Sequence, residues 1–435
     1  MKPTCSTPPH AAGGPTGARL PGLWCLLLLF TQLAGCGSQP WQGQEIAGAT
    51  FLQRALTQEN GPIRVTAAVP DDAETAVLTG LDLYEQGIQP VWLNVENRGD
   101  NPARIALWSI DRDYYAPIEV AYMNRKSFSA EGYAEMERWF YDNGLQRTVP
   151  PGESRTGLVF THRTPGTKGF NLDVFSSRVA HSFTFFVPLP GFTADYMEVE
   201  FANLYRDDEI RQLDPLSLRT LLEEELPCCV TGPEPESDGG PINVVMVGTP
   251  LAVRRSLLRG GWHETPAGSM ERARDRYFLG RNPDTIFFRE RADGEERINI
   301  HLWLAPWKVD GETAWVGQAY YHFIEQDFLA SLRERFESQD AAFLSLFAKE
   351  SVTADVDNAQ RYLLQNFWYN QSLRKVGVVT GVGRSTPDDP RVTSRGVAYF
   401  TDGTRTVMFL SETPVALDET EVLYGWEVRR LGAQR

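Results

Sequence analysis

The best-placed chemical group in this sequence is a cysteine. Cys36 follows Leu33-Ala34-Gly35, and an apolar run from Leu23 to Phe30 lies just ahead of it. Lys2 and Arg19 are the only Lys, Arg, Asp or Glu side chains before that point. A basic region, an apolar run, two small residues and then cysteine form the pattern of a bacterial lipobox, in which the Cys36 thiol is diacylated and the chain is cut after Gly35. The run is too short for a bilayer core of ~30 Å, which disfavours a retained span. Each buried CH₂ of an acyl chain contributes ~0.8 kcal/mol, so more than one chain anchors the body at a membrane surface. Gly37 stands where an aspartate would favour inner-membrane retention, which leans toward an outer-membrane lipoprotein facing the periplasm.

Other reactive constellations are weaker. With Cys5 and Cys25 in the leader and Cys36 acylated, only the adjacent Cys228 and Cys229 remain. They make neither a disulfide framework nor a spaced zinc site, so two thiols in a linker are expected, with a strained vicinal disulfide as the alternative. No G-x-S-x-G elbow occurs, and Gly377 to Gly383 lacks the lysine of a phosphate loop. His162, His181, His263 and His322 stand singly, without the i, i+4 pairing of a helical zinc site. No metal and no cofactor beyond the covalent lipid is expected. Tyr320-Tyr321, Trp303 with Trp307, and Phe367-Trp368-Tyr369 could line a groove for a glycan or peptide, although aromatic residues of this number also fill cores.

The whole chain supplies the frame for these residues. It has 435 residues, of which 42% are hydrophobic and 11% aromatic, and its formal charge is −15. That composition is globular, and the acidic balance argues against nucleic acid, which requires a basic stripe. The expected divisions are a signal peptide over 1–35, a lipidated tether over 36–60, a β-sandwich over 61–206, an acidic helix and linker over 207–240, and a mixed α+β domain over 241–435.

Period-2 alternation at Val91, Leu93 and Val95, closed by Asn97-Arg98-Gly99-Asp100, predicts a strand with one buried face. Arg104 to Ile110, Gly157 to Thr161, Ser182 to Val187 and Met197 to Asn203 add further strands. Together with Pro150-Pro151-Gly152-Glu153 they suggest a sandwich similar to bacterial immunoglobulin-like modules. Ser129 as cap predicts a helix over Ala130 to Asp142, inserted between strands. Asp214 and Pro215 start a second helix that ends at Leu226. Residues 207–238 carry ten acids against two bases, so a solvated spacer is expected there. Beyond it, a strand over Ile242 to Val247 leads to a helix capped by Thr249. Asp293-Gly294, Asp310-Gly311 and Asp402-Gly403 read as hairpin turns, and helices are expected over Asp327 to Phe347 and Val356 to Tyr369. Helices mixed with hairpins make the class α+β with antiparallel hairpins.

From "GGPINVVMVG" and "GGWHET" through "DRYFLGR", "INIHLWLAPW", "AWVGQAYYHF" and "VTADVDNAQRY" to "YFTDG", residues 241–410 resemble the LssY C-terminal domain of bacterial envelope proteins. The resemblance implies an envelope location and no defined reaction. The family commonly places consecutive histidines where this chain has Asn299-Ile300-His301, and a Glu-Arg pair where it has Gln360-Arg361. A polar or metal site elsewhere in the family would therefore be partly lost here. What remains is His301, Asp355, Asp357 and Arg361, able in principle to act as a general base with carboxylates or to hold a metal. The competing reading makes Asp355 and Asp357 an N-cap and a first-turn acid, with His301 facing solvent. The sequence thus points to a membrane-anchored lipoprotein acting as a binding or assembly module, with an envelope protein or glycan as partner. The second reading is a periplasmic hydrolase of an envelope lipid or glycan.

Overall fold

The computed structural model describes residues 40–268, 276–291, 296–324, 350–352 and 354–426. The fold is mixed α+β, with mostly antiparallel sheets and few helices. Cys36, Gly35, the Asp293-Gly294 turn and the helix expected over Asp327 to Phe347 lie outside the described residues.

The first half contains strands β1 (Leu56–Asn60), β2 (Ile63–Ala68), β3 (Ile88–Asn97), β4 (Ala103–Ala106), β5 (Thr148–Val149), β6 (Ser154–His162), β7 (Lys168–Ser176) and β8 (Val179–Val187). They form two four-stranded sheets, β1-β2-β3-β6 and β5-β4-β7-β8. Val65, Val91, Leu93 and Val95 of one sheet share a core with Leu172, Val174, Phe183 and Phe185 of the other, so the alternation in β3 places one face between the sheets. The outer face of the first sheet is covered by α1 (Asp72–Thr79), α2 (Pro117–Asn124) and α3 (Ala130–Asn143) through Leu78, Val120, Met136 and Phe140. Ser129 caps α3 as its sequence suggests, accepting from Gly132 N at 3.0 Å.

Two expectations for this half need correction. The stretch assigned to a tether is part of the body from Trp41 onward: Trp41 and Phe51 are buried, and the Trp41 indole donates to Thr79 O at 2.8 Å. An aromatic side chain with a satisfied N–H on an apolar shelf outweighs the polar residues around it. Met197 to Asn203 forms short 3₁₀ turns rather than a strand. The buried Asp195 carboxylate organises them, accepting from Thr265 and Thr285 hydroxyls at 2.6 and 2.8 Å and from Ile286 N at 2.8 Å.

The second half adds β9 (Arg211–Leu213), β10 (Cys229–Thr231), β11 (Asp238–Pro241), β12 (Val244–Val247), β13 (His263–Glu264), β14 (Thr285–Arg291), β15 (Glu296–Val309), β16 (Glu312–Ile324) and β17 (Glu350–Val352). Then come β18 (Leu373–Thr380), β19 (Arg391–Val392), β20 (Ala398–Tyr399), β21 (Thr404–Leu410) and β22 (Glu421–Val422). A ten-stranded sheet runs β13-β14-β15-β16-β12-β21-β18-β22, with β9 beside β15 and β17 beside β16. β12 pairs antiparallel with β16 and parallel with β21. One face packs on α5 (Pro250–Arg259) and α6 (Asp357–Tyr369) through Leu257, Leu363 and Phe367. The other packs on α4 (Pro215–Glu224) through Leu218, Leu221 and Leu222. Asp310-Gly311 does turn the β15–β16 hairpin, whereas Asp402-Gly403 joins strands that are not ladder partners.

The acidic linker expected over 207–240 is likewise corrected. Arg211 to Leu213 pairs with β15, and β10 and β11 form their own hairpin. Arg219 and Glu223 make a buried i, i+4 ion pair at 2.9 Å. Arg405, buried in β21, donates to the carbonyls of Leu222, Leu226 and Pro227 at the end of α4 and to Ile242 O. A cation placed on orphan C-terminal carbonyls satisfies groups that water would otherwise solvate, so α4 is fixed to the sheet despite its acidity.

Candidate functional site

Alternation along β15 and β16 sends His301, Gln318 and Tyr320 to the α4 side of the sheet and Ile300, Leu302 and Ala319 to the other. His301 is only 4% exposed, which corrects its expected place in solvent. The Tyr320 hydroxyl lies 3.0 Å from His301 Nε2 and accepts from Arg276 Nη1 at 2.6 Å. The Arg276 guanidinium also lies over the Tyr320 ring, 4.4 Å from its centroid. Burial first, then the charges of Arg276 and Arg297, hold the His301 pKa well below the ordinary imidazole value. A neutral imidazole whose Nε2 accepts from Tyr320 carries its proton on Nδ1, and that atom meets no partner among the described residues.

Above this group opens a cavity of about 240 Å³. Gly239, Gly240, Gln318, Ala319, Tyr320, Thr393, Arg395, Val397, Tyr399, Arg276 and Val356 line it. Gly240 has φ +101°, and a Cβ there would come within 2.4 Å of the Gln318 amide, so the position needs glycine on both counts. From this lining the Tyr399 hydroxyl donates to Asp238 Oδ2 at 2.8 Å, and Arg391 Nε donates to the same oxygen at 2.8 Å. Burial, with the Asp238 carboxylate beside it, pushes the Tyr399 phenol up. Cys229 Sγ sits 3.4 Å from that phenol. Cys228 and Cys229 are joined as a vicinal disulfide rather than standing as two thiols. Cys228 packs on Gly383, where φ is +91° and an added Cβ would meet Cys228 Cβ at 2.4 Å.

The remaining sequence candidates form a separate group. Asp355 accepts from Asp357 N at 3.1 Å and from the Asn358 amide at 2.9 Å, closing the first turn of α6. Asp357 is buried and accepts from the Thr401 hydroxyl at 2.6 Å and from Asp402 N at 2.8 Å. Burial raises its pKa, and those two hydrogen bonds oppose the rise. Arg361 reaches Asp402 at 3.5 Å and Asp357 at 4.0 Å. These side chains tie the start of α6 to the turn before β21. No hydrogen bond or ion pair among the described residues links them to His301. Among those residues, no three His, Cys, Asp or Glu side chains gather as metal ligands.

Of the proposed aromatic groove, Tyr320 lines the cavity, while Trp303 and Phe367 are core. Arg276, Gln318, Arg395, Tyr399 and Asp238 are the residues that sequence reasoning passed over. One signal was available for the His301 neighbourhood. Counting straight back from the Asp310-Gly311 turn sets His301 opposite Tyr320, but an irregularity between Leu304 and Lys308 makes Gln318 the direct partner and Tyr320 the diagonal one. Pro306, which has no N–H for the ladder, lies inside that irregularity.

Compared with known proteins, the chain matches no family profile, no curated protein and no solved structure. Among the described residues, no helix is long and apolar enough to cross a membrane.

Proposed function

We propose that this chain is a lipid-anchored module of the bacterial envelope, acylated on Cys36 and probing the membrane surface for a small ligand. In this reading 61–206 is an immunoglobulin-like unit and 241–410 an LssY-like one, and the cavity of the second unit is the working site. The observation that carries the binding reading is the division of the candidate residues. His301 sits neutral against Tyr320 and Arg276, which line the cavity, while Asp355 and Asp357 spend their oxygens on α6 and the Thr401-Asp402 turn. A hydrolase needs a base and carboxylates converging on one reacting atom, and this arrangement favours recognition over turnover.

Two measurements test it. Growth with a clickable fatty acid should label the wild-type chain and leave Cys36→Ala unlabelled and released from membranes; label that persists in Cys36→Ala would remove the anchor. Small molecules retained by the protein purified from its own membranes should be lost when Val397→Trp fills the cavity. Equal retention by both proteins would remove the binding role.

A further inference from the structure

We propose that a second recess, on the α4 side of the large sheet, docks an apolar, positively charged segment of another protein. It shares no lining residue with the cavity beside Tyr320, so each reading stands or falls without the other. The recess has a volume of about 830 Å³, inside the ~300–1,000 Å³ range of formed binding sites. Buried Leu221, Leu226 and Trp307 line it together with Pro227, Pro233 and Pro235. Prolines have no N–H to keep solvated and little backbone freedom to lose, so this surface is ordered before an apolar partner arrives.

Leu279 marks the recess as a place of contact. Phe278 N donates to Arg281 O at 3.0 Å and Arg281 N to Phe278 O at 3.1 Å, so Leu279 and Gly280 form a two-residue hairpin turn. Both have positive φ, +50° and +74°. That geometry suits Asn-Gly or Gly-Gly, and a bulky side chain at its first position is disfavoured. The same leucine lines the recess and is 60% exposed. Leucine here works against the fold twice, in its turn and in water, and a partner that covers it accounts for its presence.

Charge selects the partner. Glu234 and Glu236 alternate with Pro233 and Pro235, are exposed, and make no ion pair among the described residues. The charged pair in the lining, Arg211 and Glu225, neutralises itself at 2.6 Å. Lys308 follows Trp307 on β15 and so points to the opposite face of the sheet. The charges around the recess are therefore net negative. A second copy of this chain would bring the same charges, and an anionic lipid surface would share their sign, so both are repelled. Lys or Arg beside the apolar residues of a partner is attracted instead.

Photocrosslinking tests this in the full chain within its own cells, with p-benzoylphenylalanine in place of Tyr277, which lines the recess and leaves Leu279 intact. Sequencing the crosslinked peptide by mass spectrometry should show a segment of another protein with apolar residues and a net positive charge. A product with lipid, with a second copy of this chain or with an acidic segment overturns the proposal, as does no product. The captured segment, synthesised as a free peptide, should bind the purified full chain ~10-fold more weakly when Glu234→Lys and Glu236→Lys are combined, and more weakly at high salt. Leu279→Asn should also weaken binding ~10-fold while raising the urea midpoint of the second half, a combination that a purely structural leucine would not give. Arg98→Gln, in the first half, should change neither. Equal affinity of wild type and Leu279→Asn, or a lower urea midpoint in Leu279→Asn, removes the assignment.

Discussion

The two halves of the molecule bury ionisable groups to different extents. Between the facing sheets of the first half lies one continuous apolar layer, from Val65 to Phe185. The large sheet of the second half has an apolar face against α5 and α6. Its other face mixes Trp303, Val316 and Val407 with His301, Gln318 and Arg405. Packing carries most of the first arrangement, and its buried Lys168 donates to His162 O. The second needs its buried polar atoms to find partners, and among the described residues Gln318 Oε1 and His301 Nδ1 are two of several, with Glu264, Trp315 and Ser372, that do not.

The sharpest way to break this contrast is Arg405→Leu. It leaves the carbonyls of Leu222, Leu226, Pro227 and Ile242 without their donor and should destabilise the second half by ~3–5 kcal/mol, read as an earlier urea transition. The facing sheets should be untouched; one shared shift of the whole protein would instead show the halves to be a single cooperative unit. Phe185→Ala is the counterpart in the apolar layer, with an expected loss of ~3–4 kcal/mol from the cavity it leaves.

Acid separates the buried groups by sign. His263 is pushed down to about 4, mainly by burial, and His301 lower than its ordinary value for the same reason. Both are neutral when folded and protonate near ~6.5 when unfolded, so the stability they contribute is full above that pH and lost as pH falls below it. Asp195 behaves oppositely: burial raises it to about 6, so the folded chain holds its proton longer and the penalty for ionising it fades as pH falls from about 6 toward ~4. Between pH 7 and 5, His263→Gln should flatten the loss of stability by ~2 kcal/mol, and Asp195→Asn should steepen it by a somewhat smaller amount. The same slope in wild type and both variants would exclude these groups. The smallest effect is expected for Glu225→Gln, whose partner Arg211 is about half exposed, at under ~0.5 kcal/mol.

What the sequence disclosed follows the range of the interactions. Caps at Ser129, Asp214 and Thr249 act three residues ahead, so the helices they start were legible. The acidic stretch was misread because what fixes it to the body is remote: Arg405, far along the chain, holds the end of α4, and Asp238 meets Arg391, although Glu223 and Glu225 pair within the stretch. A charge run looks solvated until its counterions are located. The site was half legible for the same reason, with His301 visible as an isolated histidine and its setting dependent on a register that Pro306 shifts. Asp355 and Asp357 drew attention as chemistry, and both have local work at the start of α6.

The placement of β12 has a consequence for how the chain is made. This strand lies between β16 and β21, so its second ladder partner emerges only when synthesis reaches Thr404 to Leu410. Until then one edge of β12 is bare, and the end of α4 has no Arg405 to hold it. The second half therefore closes late and all at once, by a contact of long sequence separation, while the facing sheets of the first half can already be complete.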